Sequence, residues 1–373
     1  MRVTRIDVIP VSIPLTAPVR MATHAITEAS NVLVRMESDS GVVGWGEAAE
    51  AHNMTGDLRQ GIAEAATRLA AQYAGADPRR LRSLATAADR AIFANSSAKA
   101  GLDVAAHDLV ARSLGIPLHD LVGGAVRDTL PALFVAGGDD SAATGRAAAA
   151  AKEAGYTQFK LKVGMADLRS DAAAVVAVRE AVGESALVGV DANQSLTVDA
   201  AIRFARMVGD AGLDYLEQPL WGVDADGLTA IRQAIHVNLS VDEGLHGLHD
   251  IVAYARARAI DGMALKLVKM GGIGRMMAAL ELADLFGLDV NLSGKIAETS
   301  VGSAALAHIA AAAPAVRWGF SVTNNHLVHD PVTVPLAVKG GVVAVPQGPG
   351  LGIEVDEEAV RRFLAGEAWV VRA

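Results

Sequence analysis

Five apolar runs between residues 159 and 266 each end on a charged side chain. They are FKLK (159–162), LVGVD (187–191), LDYLE (213–217), VNLSVD (237–242) and MALK (263–266). Their end residues, Lys162, Asp191, Glu217, Asp242 and Lys266, follow one another at spacings of 29, 26, 25 and 24. A short apolar run repeated at that interval, with a helix-length segment between, is the pattern of parallel βα units. Barrels of this kind carry their chemistry at the C-terminal ends of the strands. The order Lys, Asp, Glu, Asp, Lys therefore predicts three carboxylates on adjacent strand ends, with an amine on either side. Three clustered carboxylates suit a hard divalent cation, Mg²⁺ above all. Amines flanking that cation suit proton transfer to and from a carbanion.

Outward from this stretch, the strand–helix alternation predicts strands near 131–135, 158–162, 187–191, 214–217, 237–242, 262–266, 288–293 and 316–318. Eight such units make a (β/α)₈ barrel, so the fold class is α/β. Residues 1–50 alternate as a small antiparallel meander, with a polar loop expected over 17–30. Helical spacing follows over 57–73, 78–94 and 97–114. The expected division is an N-terminal α+β unit (1–128), a barrel (129–327) and a C-terminal segment (328–373) returning to the N-terminal unit.

Composition narrows the function classes. No long uncharged apolar run suggests a membrane span, and the N-terminal segment lacks a signal-peptide layout. The absence of cysteine excludes disulfides, thiolate ligands and a cysteine nucleophile. A net charge of −9 disfavours nucleic acid or an anionic membrane as partner. The expected setting is cytoplasmic, and the expected partner is a small-molecule carboxylate. No GxSxG motif supports a hydrolase elbow.

Other polar residues take positions around the same strand ends. Lys160 and Lys162 share one strand face, and their proximity is expected to lower the pKa of at least one. Asn193 and Glu243 are expected to orient ligands by hydrogen bonds. Glu298, past the seventh strand, is a candidate to contact a substrate or to orient Lys266. Lys295 in the same loop is a candidate partner for a second anionic group on the substrate. Lys269 opens the glycine-rich GGIGR turn and is expected at the surface or capping a helix. The histidines form no metal-ligand pattern. They are expected to be solvated or structural, with His24 favoured as a pocket residue because of its loop.

Taken together, KLK (160–162), VDANQ (190–194), LEQPL (216–220), VDEG (241–244), LKLVKMGG (265–272) and GKIAETSVG (294–302) resemble the enolase superfamily. The likeness is to its muconate lactonizing enzyme subgroup, within the mandelate racemase/muconate lactonizing enzyme family. GVVGWGEA (41–48) and GPGLGIEVD (348–356) extend the resemblance over essentially the whole chain. The resemblance implies a modified TIM barrel under an N-terminal α+β capping domain. It implies Mg²⁺, with Mn²⁺ as a substitute, held by Asp191, Glu217 and Asp242. It also implies proton abstraction α to a carboxylate to give an enediolate. Lys162 and Lys266 would be the acid/base pair, with Lys160 tuning Lys162. Relatives commonly form dimers to octamers, so a homo-oligomer is expected.

The subgroup includes cycloisomerases, racemases, epimerases, o-succinylbenzoate synthases and dehydratases, and one fold hosts many functions. An isomerase is the first expectation. A lyase acting on a hydroxy or imino acid, or of the o-succinylbenzoate synthase kind, is the alternative, and a non-catalytic binding barrel the third. Specificity is expected in residues 17–30, near 50–56, and at the seventh and eighth strand ends.

Overall fold

The computed structural model describes residues 1–20 and 25–373. The chain opens with three antiparallel strands, β1 (Val3–Arg20), β2 (Ala25–Ser38) and β3 (Val43–Ala49). Where it is described, the expected 17–30 loop is strand, since Val19 pairs with Ile26 and Arg20 with Ala25 beyond a register shift after Pro14. Four helices follow: α1 (Arg59–Ala70), α2 (Leu81–Ala91), α3 (Ser96–Leu114) and the short α4 (Leu118–Leu121). Helix α3 is almost wholly buried against β2 and β3. Its alanines and Gly101 permit this, because Cβ atoms at Gly44 and Gly46 would run into its backbone.

After a short strand β4 (Thr129–Pro131), eight parallel strands form the second sheet. They are β5 (Leu133–Ala136), β6 (Gln158–Lys162), β7 (Leu187–Asp191), β8 (Tyr215–Glu217), β9 (Asn238–Val241), β10 (Gly262–Leu265), β11 (Asp289–Ser293) and β12 (Phe320–Ser321). A bridge between Ala132 and Phe320 closes the sheet into a barrel. The intervening helices are α5 (Ser141–Glu153), α6 (Leu168–Val182), α7 (Val198–Val208), α8 (Ala225–Ala234), α9 (Leu248–Ala257), α10 (Leu267–Met270), α11 (Ile273–Phe286) and α12 (Ser300–Ala312). Side chains of Asp140, Asp167, Thr197, Asp224 and Thr299 accept from backbone N–H groups at their helix starts, which fixes where each loop ends.

The eighth strand falls later than the expected 316–318. Trp318 hydrogen-bonds back to Val290, but the ladder resumes only at Phe320, beyond Gly319 at φ +86°. That left-handed turn is what an apolar run alone does not reveal. Trp318 stacks on Tyr215, ring centroids 4.4 Å apart, and plugs the lower barrel. Gly189 and Gly262 leave the space, since a Cβ at either would strike these rings.

The C-terminal part contributes β13 (Val338–Lys339) and β14 (Val342–Ala344), which pair with β4. Helix α13 (Glu357–Arg362) and β15 (Trp369–Arg372) follow, and β15 becomes the edge of the first sheet beside β1.

Two carboxylates tie the N-terminal elements to barrel helices. Asp103 on α3 accepts from Ile273 N at 2.7 Å, at the start of α11. This explains the GGIGR run: its helix N-terminus already faces an anion, and a Cβ at Gly272 would hit that carboxylate. Glu47 on β3 accepts from Thr299 N, Thr299 Oγ1 and Gly302 N at the start of α12, at 2.7–3.0 Å. Among the described residues no helix is long and apolar enough to cross a membrane.

Candidate active site

Side chains two apart on each barrel strand face the same way. The barrel register sets Lys162 beside Asp191 and Asp191 beside Glu217. Asp242 follows at the end of β9 and Lys266 at the end of β10. All five line one cavity of about 160 Å³ at the C-terminal mouth of the barrel, with Lys160, Asn193, Glu243 and Lys295. Val19, Ile26, Asn53 and Met54 from the N-terminal elements roof it. His24 lies outside the described residues. His326, half-buried, is the histidine that lines the cavity among those described.

Each carboxylate is drawn to its own ammonium. Lys162 Nζ lies 2.5 Å from Asp191 Oδ2 and 3.0 Å from Asn193 Oδ1. Lys160 Nζ donates to Glu217 Oε2 at 2.8 Å and to Asn291 Oδ1 at 3.0 Å. Lys266 pairs with Asp242 Oδ2, while Lys269 donates to Asp242 Oδ1 at 2.7 Å. Asn193 donates to Glu243 Oε1 at 2.9 Å and so links the β7 and β9 ends.

Two expectations are corrected here. Lys269 is neither at the surface nor a helix cap. Its side chain is fully buried, and the short turn of α10 folds it back under Asp242, where Asp242 O and Ala264 O also accept from it. At Lys160 the lowering expected from a neighbouring amine is not what the structure gives. Lys160 turns down into the barrel. Burial opposes its charge, but Glu217, Asp191 and Asp242 outweigh it and hold the pKa above the ordinary lysine value.

The same balance of burial and charge sets the other groups. Burial pushes Glu217 up to about 7, aided by Asp191 and Asp242 and resisted by Lys160. Burial, Asp242 and Asp191 push Glu243 up to about 7. Burial also acts on Asp242, but Lys266 and Lys269 override it and hold this carboxyl well below the usual range. Lys266 is raised, because Asp242 and Glu243 outweigh its burial. Glu298 is pushed up to about 8 by burial and by Glu47. Its Oε2 lies next to Gly294 and Gly302, and Lys295 and Lys266 act on it through their charge.

The donor set is all oxygen, as a hard cation needs. Four buried carboxylates line the cavity, and among the described residues Glu243 Oε2 has no hydrogen-bond partner. In kind, these residues fit Mg²⁺. In spacing, no three acidic or histidine side chains stand together at coordination distance among the described residues, because the lysines hold the carboxylates apart.

Sequence reasoning missed Asn291, the central residue of DVNLS, which anchors Lys160. It also gave no part to Glu47, whose only signal was a single acid inside the apolar hairpin VVGWGEAA.

The comparisons agree with this architecture. Residues 3–123 match the mandelate racemase / muconate lactonizing enzyme N-terminal domain, and residues 143–359 match the enolase C-terminal domain-like family. Chloromuconate cycloisomerase of Pseudomonas putida is 31% identical over 97% of this chain and 99% of its own. The crystal structure of N-succinyl Arg/Lys racemase from Bacillus cereus superposes with a TM-score of 0.93 at 26% identity, covering 100% of both chains. A dipeptide epimerase from Cytophaga hutchinsonii, crystallised with Mg and the dipeptide D-Ala-L-Val, gives 0.91 at 25% identity, again over 100% of both. Fold and site thus define an enzyme of the enolase superfamily, of the isomerase kind. Within it, the chain belongs to the mandelate racemase/muconate lactonizing enzyme family.

Proposed function

We propose that the chain is a Mg²⁺-dependent isomerase, of cycloisomerase, racemase or epimerase type, that removes and returns a proton α to a substrate carboxylate. The observation that carries this is the placement of two amines. Lys162 on β6 and Lys266 at the end of β10 lie four strands apart in a closed eight-stranded barrel, so they reach one cavity from opposite sides. A carboxylate between them presents one face of its α-carbon to each.

Asp191, Glu217 and Asp242 would hold the cation. When bound, Mg²⁺ supplies Lewis-acid stabilisation of negative charge on the substrate carboxylate. The remaining work belongs to the chain. Lys162 takes or gives a proton on one face, and Lys266 on the other. Both pair with the same carboxylates that would serve the cation, so a bound cation would compete with these two pairs. Lys160 and Lys269 stay beneath, fixing Glu217 and Asp242 by hydrogen bonds. Asn193 holds Asp191, Lys162 and Glu243 in one network. Met54, with its sulfur 3.5 Å from Lys266 Nζ, shields that amine from water.

The test is proton exchange. Candidate carboxylic acids incubated with the enzyme in D₂O and followed by ¹H NMR should lose the α-proton signal with Mg²⁺ and keep it with a chelator. Exchange with conserved mass supports the isomerase. Keto-acid formation with loss of water would assign a dehydratase instead. No exchange across a broad acid library would refute the reading.

A further inference from the structure

A second cavity, of about 360 Å³, lies on the seam between the N-terminal helices and the barrel. It shares no wall residue with the catalytic cavity. Its walls come from the residues just past α1, from α2 and α3, and from the turn that leads from α10 into α11.

Two of its wall side chains are more than nine-tenths buried, and each keeps a polar atom without a partner. Tyr73 is 1% exposed, and its hydroxyl makes no hydrogen bond among the described residues. Burial, with Asp103 and Asp89 near it, pushes this phenol up, so it keeps its proton and can donate. His107 is 6% exposed. Its Nδ1 donates to Asp103 O at 2.8 Å, since a carbonyl only accepts. That leaves Nε2 without a partner among the described residues. Burial opposes charge on this ring, but Asp103 outweighs it and raises the pKa, so Nε2 carries a proton more readily than in an ordinary histidine.

Charge around the cavity is unbalanced. Lys99 Nζ lies 3.1 Å from Asp89 Oδ1, and Arg275 pairs with the same carboxylate. Arg82 on α2 has no ion-pair partner among the described residues. Asp103 is already taken by Ile273 N and His107. The next N–H groups of α11, on Gly274 and Arg275, have no acceptor among the described residues, and free N–H groups at a helix start favour an anion. In a chain of net charge −9 this is a local excess of cations and donors. A buried donor left unmet costs stability, and an anion with several oxygens would meet these donors together. A carboxylate offers two oxygens and one charge. A phosphate group offers three or more oxygens and nearly two charges, which fits donors arriving from four elements.

We propose that this seam cavity is a second ligand site that takes a phosphate group, free or carried on a small metabolite, with Tyr73, Lys99, His107 and the first turn of α11 as its donors. The occupant would touch the N-terminal helices and the barrel at once and so strengthen the seam. The site is separate from the catalytic cavity and stands whether or not the isomerase reading does.

The test uses inorganic phosphate and glycerol 3-phosphate as probes. Each is titrated calorimetrically into the full chain, once with Mg²⁺ and once with a chelator. At least one should bind at about millimolar affinity or tighter, and equally under both conditions, because no cation is needed. Tighter binding of the ester assigns a phosphorylated metabolite as the occupant; otherwise the occupant is the free ion. Tyr73→Phe should weaken binding roughly ten-fold, and His107→Gln at least as much, the scale of a hydrogen bond to a charged group. The bound probe should also raise the melting temperature of the wild type. Phosphate stabilises proteins through general salt effects as well, so the rise should be larger in the wild type than in either variant. If His107→Gln does not fold by circular dichroism, Lys99→Met is titrated in its place. Absence of binding at tens of millimolar overturns the proposal. So does binding that disappears with the chelator, which would place the anion on the catalytic cation, or binding that the variants leave unchanged.

Discussion

At the residue scale the site is a set of compensated charges, and each compensation has a different consequence. Lys160 and Lys269 are buried below the cavity with fixed partners. Lys162 and Lys266 stand higher, where a ligand can replace the carboxylate that each now holds. Their losses should therefore be unequal and dependent on the face of the substrate. If the reaction is a racemisation, Lys162→Ala should still exchange the α-proton of one enantiomer through Lys266, and Lys266→Ala that of the other. The affected enantiomer should slow by roughly 10²–10⁴-fold, the usual contribution of a positioned general base. Deuterium incorporation into each enantiomer with each single variant measures this. Wild-type exchange of both enantiomers by both variants would remove these lysines from the mechanism.

At the scale of elements, α4 is fastened to α12 by a pair of buried imidazoles. His119 Nδ1 and His308 Nδ1 are 2.9 Å apart, and among the described residues His308 Nε2 has no partner in good hydrogen-bond geometry. Burial, with His119 beside it, pushes His308 down to about 4. Its folded pKa is thus below the ordinary value of 6.5. Between those values the unfolded chain binds a proton that the folded chain does not, so His308 costs stability as pH falls from about 6.5 to about 4. His308→Gln should flatten that acid limb. Melting temperatures of wild type and variant at pH 7.5 and pH 5 should show a smaller drop for the variant. An equal drop would mean that other groups govern the acid limb.

At the scale of the molecule, the N-terminal elements roof a cavity whose chemistry sits on the barrel. Glu47 is a principal fastening: it is buried, and it accepts from Asn31 Nδ2 at 2.7 Å as well as from the start of α12. Glu47→Ala would orphan several buried donors at once. The expected cost is about 3 kcal/mol, since each unsatisfied buried donor costs roughly 1–3 kcal/mol and water replaces part of the loss. Urea denaturation reads this as a lower midpoint. Because Met54 and Asn53 belong to the same roof, substrate affinity should weaken in parallel. A variant with wild-type midpoint would show that the seam is held elsewhere.

Much of this was legible in the chain alone, and the reason is periodicity. Lys162, Asp191, Glu217, Asp242 and Lys266 each close a run whose period-two pattern assigns face and end together, so the barrel and its charged rim could be read from local sequence. The helices of the N-terminal part were equally clear. Lys269 was misread because one turn after a strand end the backbone allows a side chain either inward or outward, and only packing under Asp242 selects inward. The eighth strand was displaced because Gly319 turns the backbone in a way that apolar content does not record. Asn291 and Glu47 carry no pattern of their own; they matter through partners 131 and 252 positions distant. The sequence by itself determined the architecture and the row of strand-end charges. Which lysine pairs with which carboxylate, and that Lys295 is left without one among the described residues, was decided by tertiary structure, because ion pairing depends on side-chain direction and burial, which are set by contacts distant in the chain.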